Sequence, residues 1–155
     1  MKVLLDTHCF LWWISEKEKL NREATRIIAR GENTVYFSAA SAWEIAIKTS
    51  IGKLGLPAPP RSFVPAQVAE QGMTPLPIDQ VHALHAGTLP LLHKDPFDRL
   101  LVAQARIEDL PILTADRKLL PYGVKVIWAG TEPRPAASPS ARRPRRGGRG
   151  TPPRR

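Results

Sequence analysis

An α/β fold is predicted for this chain: a mainly parallel central sheet with helices packed on both faces. Three observations predict it. Short runs that are apolar or β-branched recur along about 130 residues, as in Val3-Leu4-Leu5, Thr34-Val35-Tyr36-Phe37 and Ile112-Leu113-Thr114. Stretches with apolar residues at helical spacing separate them, and this alternation implies a parallel sheet whose strands are buried on both sides. Finally, Asn, Asp or Ser residues stand where those helices begin and glycines where several end, which punctuates the elements.

Taken in order, residues 2–5 form a strand broken at once by Asp6-Thr7, and residues 8–16 continue as a helix rich in bulky groups. Asn21 caps a helix over residues 21–30, where Ala24, Ile27 and Ile28 share a face and Gly31 is the stop. Residues 34–37 are a second strand. A helix follows over about 40–51, ended by Gly52. The three prolines in residues 55–60 require a loop. Residues 62–71 predict a modest helix, 74–78 a short strand, and Asp79 caps a helix running to about residue 86. Residues 88–94 connect. Asp95-Pro96 then opens a helix to about residue 108 with a capping acid and a proline at the first turn. Residues 111–114 are a strand, 116–120 a short helix and 124–127 a last strand.

The net charge of +9 over 155 residues is unevenly spread. Residues 131–155 hold eight arginines and one acid, a net +7, which leaves +2 for residues 1–130. The expected organisation is a folded domain over 1–130 and a disordered Pro/Arg-rich tail over 131–155, too polar to offset its chain entropy. Such a tail would suit a salt-sensitive grip on RNA, and a dispensable extension is the equal alternative. The single cysteine, Cys9, has no internal bridging partner. A lone thiol fits a reducing compartment, and Cys9 reads as a small buried hydrophobe. No run reaches the roughly 18 apolar residues of a membrane span, and no secretory leader is expected. The predicted location is the cytoplasm.

Four acids stand where a core would place apolar side chains. Asp6 closes the first strand, Glu44 interrupts Ala42-Trp43-Glu44-Ile45-Ala46-Ile47, Asp98 opens Leu100-Leu101-Val102-Ala103, and Asp116 follows Ile112-Leu113-Thr114-Ala115. Each has an ordinary explanation. Asp6 and Asp116 can end strands or cap helices, Ser41-x-x-Glu44 matches a capping box, and Asp98 can support the cap made by Asp95. Spacing argues otherwise for two of them. Ala40, Glu44, Ile47 and Ile51 share one apolar helix face, and Asp98 shares a stripe with Leu101, Val102 and Ala105. Ligands of open parallel sheets lie beyond the strand carboxyl ends, where Asp6 and Asp116 fall. Hard oxygen donors without clustered His or Cys suit Mg²⁺ or Mn²⁺. His82 and His85 read as surface or helix packing. His8 and His93 lie near the proposed site, as packing or capping groups that could assist a substrate.

Leu4-Leu5-Asp6-Thr7-His8, Ser38-Ala39-Ala40-Ser41-Ala42-Trp43-Glu44, the segment His93-Lys94-Asp95-Pro96-Phe97-Asp98-Arg99-Leu100-Leu101-Val102-Ala103-Gln104-Ala105, and Leu113-Thr114-Ala115-Asp116 occur in that order. This ordered set resembles the sequence blocks of PIN-domain proteins, specifically the VapC-like toxins of bacterial type II toxin–antitoxin systems, over about residues 1–128. The resemblance implies a single PIN-like domain and a metal-dependent endoribonuclease. Asp6, Glu44, Asp98 and Asp116 would be its catalytic and metal-binding quartet around Mg²⁺ or Mn²⁺. Thr7 and Thr114 would support the acids, Asp95 would be a capping or outer-sphere acid, and Lys48, Lys94, Arg99 and Arg117 could grip phosphates. It further implies an RNA substrate, a cognate antitoxin protein and a homodimer, with residues 10–14 and 89–92 as candidate contact segments. Two readings compete. One is a noncatalytic RNA-binding or interaction module in which the acids only start helices. The other is a receiver-like domain, which would need paired early acids where this chain has Asp6 alone.

Overall fold

The computed structural model describes residues 1–134 and residue 136. The expected tail over 131–155 otherwise lies outside the described residues. Five strands form one sheet: β1 (Lys2–Leu5), β2 (Thr34–Ser38), β3 (Thr74–Leu76), β4 (Ile112–Thr114) and β5 (Val126–Trp128). All neighbours are parallel, in the order β3-β2-β1-β4-β5. The helices are α1 (Thr7–Ser15), α2 (Arg22–Ala29), α3 (Ala39–Ser50), α4 (Pro60–Glu70), α5 (Gln80–Thr88) and α6 (Pro96–Ile107), with 3-10 turns at Lys17–Lys19 and Arg117–Tyr122. The predicted elements are all present, with ends shifted by a few residues. The strand expected over 74–78 stops at Leu76, before Pro77, which lacks the N–H that a ladder needs.

Strand β1 shows why the sheet is covered twice. Successive strand side chains point to opposite faces. Val3 and Leu5 enter a core shared with Phe10, Trp13, Ile27, Ile45 and Val64, while Leu4 enters a second core with Leu101, Val102, Leu110 and Leu119. Helices α1 to α4 contribute to the first core and α6 to the second. Strand order reverses direction at β1: the chain moves from β1 outward to β2 and β3, then returns to its other side for β4 and β5. A crevice opens at such a switch point, beyond the strand carboxyl ends.

Two polar devices fix what surrounds that crevice. Gln104, fully buried in α6, accepts a hydrogen bond from Ser38 Oγ and donates to the Pro77 carbonyl, while Ser38 Oγ also caps α3 through Ala40 N–H. One amide therefore links the ends of β2 and β3 to α6. At the opposite edge, Asn21 Oδ1 caps α2 through Ala24 N–H, and its Nδ2 donates to Trp128 O (2.7 Å) and Gly130 O (3.1 Å). Asn21→Ala removes a cap and both of these bonds. We expect a loss of about 2 kcal/mol, the upper part of the range for lost caps, read from the urea midpoint at unchanged m-value.

Candidate metal centre

Asp6, Glu44, Asp98 and Asp116 converge at the switch point. Asp6 lies at the end of β1 (2 % exposed), Glu44 on α3 (3 %), Asp98 in the first turn of α6 (9 %), and Asp116 just after β4. Their proximity shows in mutual repulsion. Burial, then the charges of Asp95, Asp6, Asp116 and Glu44, push the Asp98 carboxyl up to about 8. Burial also raises the pKa of Asp6, as do the charges of Asp116 and Glu44, against the lowering effects of a Thr114 hydrogen bond and the His8 ring.

Local structure explains how each carboxylate arrives there. Asp6 occupies the residue before α1, but its side chain caps nothing. Its Oδ2 accepts instead from Thr114 Oγ1 at 2.7 Å, joining the ends of β1 and β4. Thr114 thus supports an acid as expected, whereas the Thr7 hydroxyl donates to Ser41 Oγ at 2.9 Å and ties α1 to α3. Helix α3 begins at Ala39 with Ser38 as its cap, so Ser41 lies inside the helix and no Ser41–Glu44 capping box exists. The buried stripe of α3 is Ala40, Ser41, Glu44 and Ile45, whereas Ile51, expected on the apolar face, is 58 % exposed just beyond the helix. Asp95 is the cap of α6, its Oδ1 accepting from Phe97 N–H (2.8 Å) and Asp98 N–H (3.3 Å). Asp98 shares the buried face with Leu101, Val102 and Ala105, as its stripe predicted. Asp116 Oδ1 accepts from Lys118 N–H at 2.9 Å.

The cations divide sharply. Lys48 Nζ lies 2.6 Å from Glu44 Oε2, one helical turn away. Burial alone would lower its pKa; the bond to Glu44 and the charges of Glu44, Asp95 and Asp98 outweigh this and raise it. Lys94 and Arg117 are exposed. Arg99 is committed elsewhere: its guanidinium donates to the carbonyls of Ala86, Leu89 and Pro90, each at 2.9 Å. That corrects its expected phosphate contact. Arg99 ties the end of α5 and the following turn to α6, leaving Leu91 (86 % exposed) and Leu92 (55 %) at the surface.

Sequence reasoning gave His93 too small a place. Atoms of His93, Asp98 and Asp116 lie within 4.8 Å of one another, and His93 Nε2 is 2.6 Å from Asp98 Oδ2, at too oblique an angle for a hydrogen bond. His93 Nδ1 accepts from Asp95 N–H at 3.3 Å. A ring nitrogen that accepts leaves the proton on the other one, so in the neutral ring the proton sits on Nε2, beside Asp98 but not bonded to it. In that tautomer Nε2 has no free lone pair; a ligating histidine donates its second N–H instead. Its position just ahead of the Asp95 cap was the available signal. His82 takes the packing alternative: it is buried, with Nδ1 accepting from Asp79 N–H and Nε2 3.1 Å from Glu108.

The donor set fits a hard divalent cation. It consists of carboxylate oxygens buried beyond what Lys48 alone compensates, and buried charge requires a partner. Cys9 offers no thiolate, because burial and the Asp6 charge push its thiol well above the usual range. Beside the acids runs a cavity of about 660 Å³ lined by Thr7, His8, Trp12, Lys48, Lys53 and Gln67, among others. It is wide enough for part of a larger ligand.

The PIN domain family matches residues 3–124. Ribonuclease VapC22 of Mycobacterium tuberculosis (strain ATCC 25618 / H37Rv) is 31% identical over 121 residues, which cover 76% of this chain and 88% of that protein. Ribonuclease VapC16 of the same strain is 43% identical over 63 residues, 41% of this chain and 45% of that protein, so this alignment spans less than half of the relative. Among solved structures, VapBC2 from Rickettsia felis, bound to a DNA fragment from its promoter, aligns at TM-score 0.63 and 15% identity. That alignment covers 83% of this chain and 99% of the other. VapBC-1 from nontypeable Haemophilus influenzae aligns at TM-score 0.56 and 16% identity, covering 82% and 97%. At such identities the two structures support the fold.

The raised Asp98 pKa gives the ion-free protein a defined pH response. Asp98 binds its proton more tightly folded than unfolded, so its contribution to stability is complete below the ordinary aspartate value of 3.8 and is lost as pH rises through about 8. We expect Tm without divalent ions to fall between about pH 4 and pH 8, and Asp98→Asn to flatten that fall. Titrating Mg²⁺ at neutral pH should release protons, seen as calorimetric heats that vary with the ionisation enthalpy of the buffer. Equal heats in all buffers would contradict the assignment.

Proposed function

The chain belongs to the PIN-domain family, and on that premise we propose that it is a metal-dependent endoribonuclease acting as the toxin of a toxin–antitoxin pair. The observation carrying this reading is the convergence of Asp6, Glu44, Asp98 and Asp116 from four separate elements on one buried pocket. Two relatives named ribonucleases support the activity. Solved toxin–antitoxin neighbours, including a complex from Klebsiella pneumoniae, support the antitoxin partner. We assign the nuclease unit to residues 1–130, with 131–155 as a basic extension, and place the protein in the cytoplasm.

We take Asp6, Glu44, Asp98 and Asp116 as the residues that would hold Mg²⁺ or Mn²⁺. When bound, such an ion supplies positive charge that offsets the phosphodiester and lowers the pKa of water toward neutrality. The protein's own groups do the positioning. Thr114 holds Asp6 through Oδ2, so Oδ1 is not taken by that bond. Lys48 draws Glu44 to one side and brings a half-buried ammonium beside the acids, where it could meet an incoming phosphate. His93 is held by Asp95 N–H at Nδ1 and sets its Nε2 beside Asp98. Water attacks phosphorus in line with the departing sugar oxygen, and one of the carboxylates takes the attacking water's proton. Exposed Lys94 and Arg117 remain available to backbone phosphates. Exposed Val81, Leu84, Leu91 and Leu92 offer apolar contact to the antitoxin or to a second copy in a homodimer.

Asp98→Asn keeps the side chain's shape but removes the ionisable oxygen that would hold a cation. We expect at least about a hundredfold loss of RNA cleavage, within the range for groups handling a proton or a developing charge, with an unchanged far-UV CD spectrum. EDTA should silence the wild type and excess Mg²⁺ or Mn²⁺ should restore it. Cleavage that persists in EDTA, or undiminished activity of a folded Asp98→Asn protein, would sink this reading in favour of a noncatalytic module.

A further inference from the structure

We propose that the cavity between Trp12 and Trp128 is a nucleobase subsite, holding one base of the RNA strand beside Asp116. The proposal rests on the ribonuclease reading and specifies how its substrate is gripped. The cavity measures about 240 Å³ and is lined by Trp12, Lys19, Ala115, Arg117, Trp128 and Gly130, among others. Ala115 and Arg117 flank Asp116 in the chain, so the cavity adjoins the acidic pocket. It falls below the range that accommodates drug-sized ligands, and its size suits one small planar group.

Its walls have the chemistry that binds single strands: aromatic faces with cations beside them. Trp128 Nε1 already donates to Glu132 O at 2.7 Å, so the polar edge of that indole is satisfied and the ring is held in place. The Lys19 ammonium lies over the Trp12 ring, 5.8 Å from its centroid, and would have to yield that face to a base stacking there; Arg117 is exposed. These two cations can serve the phosphates on either side of a bound base. Two charges work against a strand here, Glu132 at the rim and Glu16, which pairs with Lys19.

The cavity is also built in advance. Asn21 holds the carbonyls of Trp128 and Gly130, its own N–H donates to Ala129 O at 2.8 Å, and Leu20 bridges Gly130. These bonds tie the end of β5 to the turn after α1, which carries Trp12, so neither tryptophan needs to move far to receive a ligand. Gly130 helps to keep the space open. A Cβ there would stand 3.4 Å from both Ala115 Cβ and Trp128 Nε1. A sequence-tolerant stacking site beside the acids would hold the strand in register for cleavage without selecting a base by hydrogen bonding.

The test uses the full chain as Asp98→Asn, so that RNA is not consumed, with Mg²⁺ and fluorescein-labelled single-stranded RNA decamers of mixed sequence. Adding Trp128→Ala should raise Kd about tenfold, the loss typical of one stacked base, and Trp128→Phe should recover most of it. Replacing single nucleotides by abasic ones should reveal one position with a similar loss, and that loss should disappear in the Trp128→Ala background. Photocrosslinking of 5-iodouridine decamers to the Asp98→Asn chain avoids any folding defect at residue 128, and the adduct should map to Trp12 or Trp128. RNA bound equally well by folded Trp128→Ala, or adducts confined to other residues, would overturn the subsite alone. If the unaltered chain neither binds nor cleaves RNA, the ribonuclease reading fails with it.

Discussion

Like charges buried together are the constraint on which this structure turns. Asp6, Glu44 and Asp98 are each at least nine-tenths buried, and Asp116 stands beside them. Taking one carboxylate out of water costs several kcal/mol unless it is paired or neutralised. Lys48 supplies a single positive charge, and a proton held on Asp98 up to about pH 8 relieves another part of the strain. The remaining imbalance is what gives the pocket an affinity for cations.

Rigidity is the second requirement, since repelling acids separate if their supports yield. The elements that carry them are held by bonds outside the cluster. Thr114 joins Asp6 to β4, and Gln104 links α6, which carries Asp98, to Ser38 at the start of the helix that carries Glu44. Arg99 pins the segment ahead of α6 through three carbonyls, and the Asp95 cap fixes where α6 begins. Polar side chains spent on backbone groups in this way are unavailable to a substrate. Arg99 illustrates the point, because its place next to Asp98 in the chain suggests phosphate contact while its partners are all carbonyls.

The elements and all four acids were legible in the sequence because each rests on a local signal. An acid that interrupts an apolar run shows in one window of residues, and so does Asp95-Pro96 at a helix start. What escaped depends on contacts between distant segments. Nothing near Thr7 announces that its hydroxyl meets Ser41 in place of an acid, or that Asn21 reaches β5 across 107 residues. His93 fell between these cases: it is close to Asp98 in sequence, but its ring orientation depends on an Asp95 N–H that becomes available only once the α6 cap has formed. Spacing also misplaced Ile51, because a helical stripe predicts a face only while the helix lasts, and α3 ends at Ser50.

Capping and cation binding looked like rival explanations for these acids, yet a carboxylate has two oxygens. Asp116 bonds Lys118 N–H through Oδ1 and Asp95 bonds the first turn of α6 through Oδ1, so in both residues Oδ2 stays outside the cap. Asparagine caps about as well as aspartate does, so the capping bonds alone do not require a negative charge at either position, and the helix dipole rewards one only modestly. The charge matters more if something positive is to be held nearby. Asp6 makes the same point from the opposite side: it stands where a cap would stand, caps nothing with its side chain, and turns instead toward Thr114 and the other acids. The geometry of the helix starts therefore accounts for the backbone at these positions, and the electrostatics of the pocket accounts for the choice of aspartate.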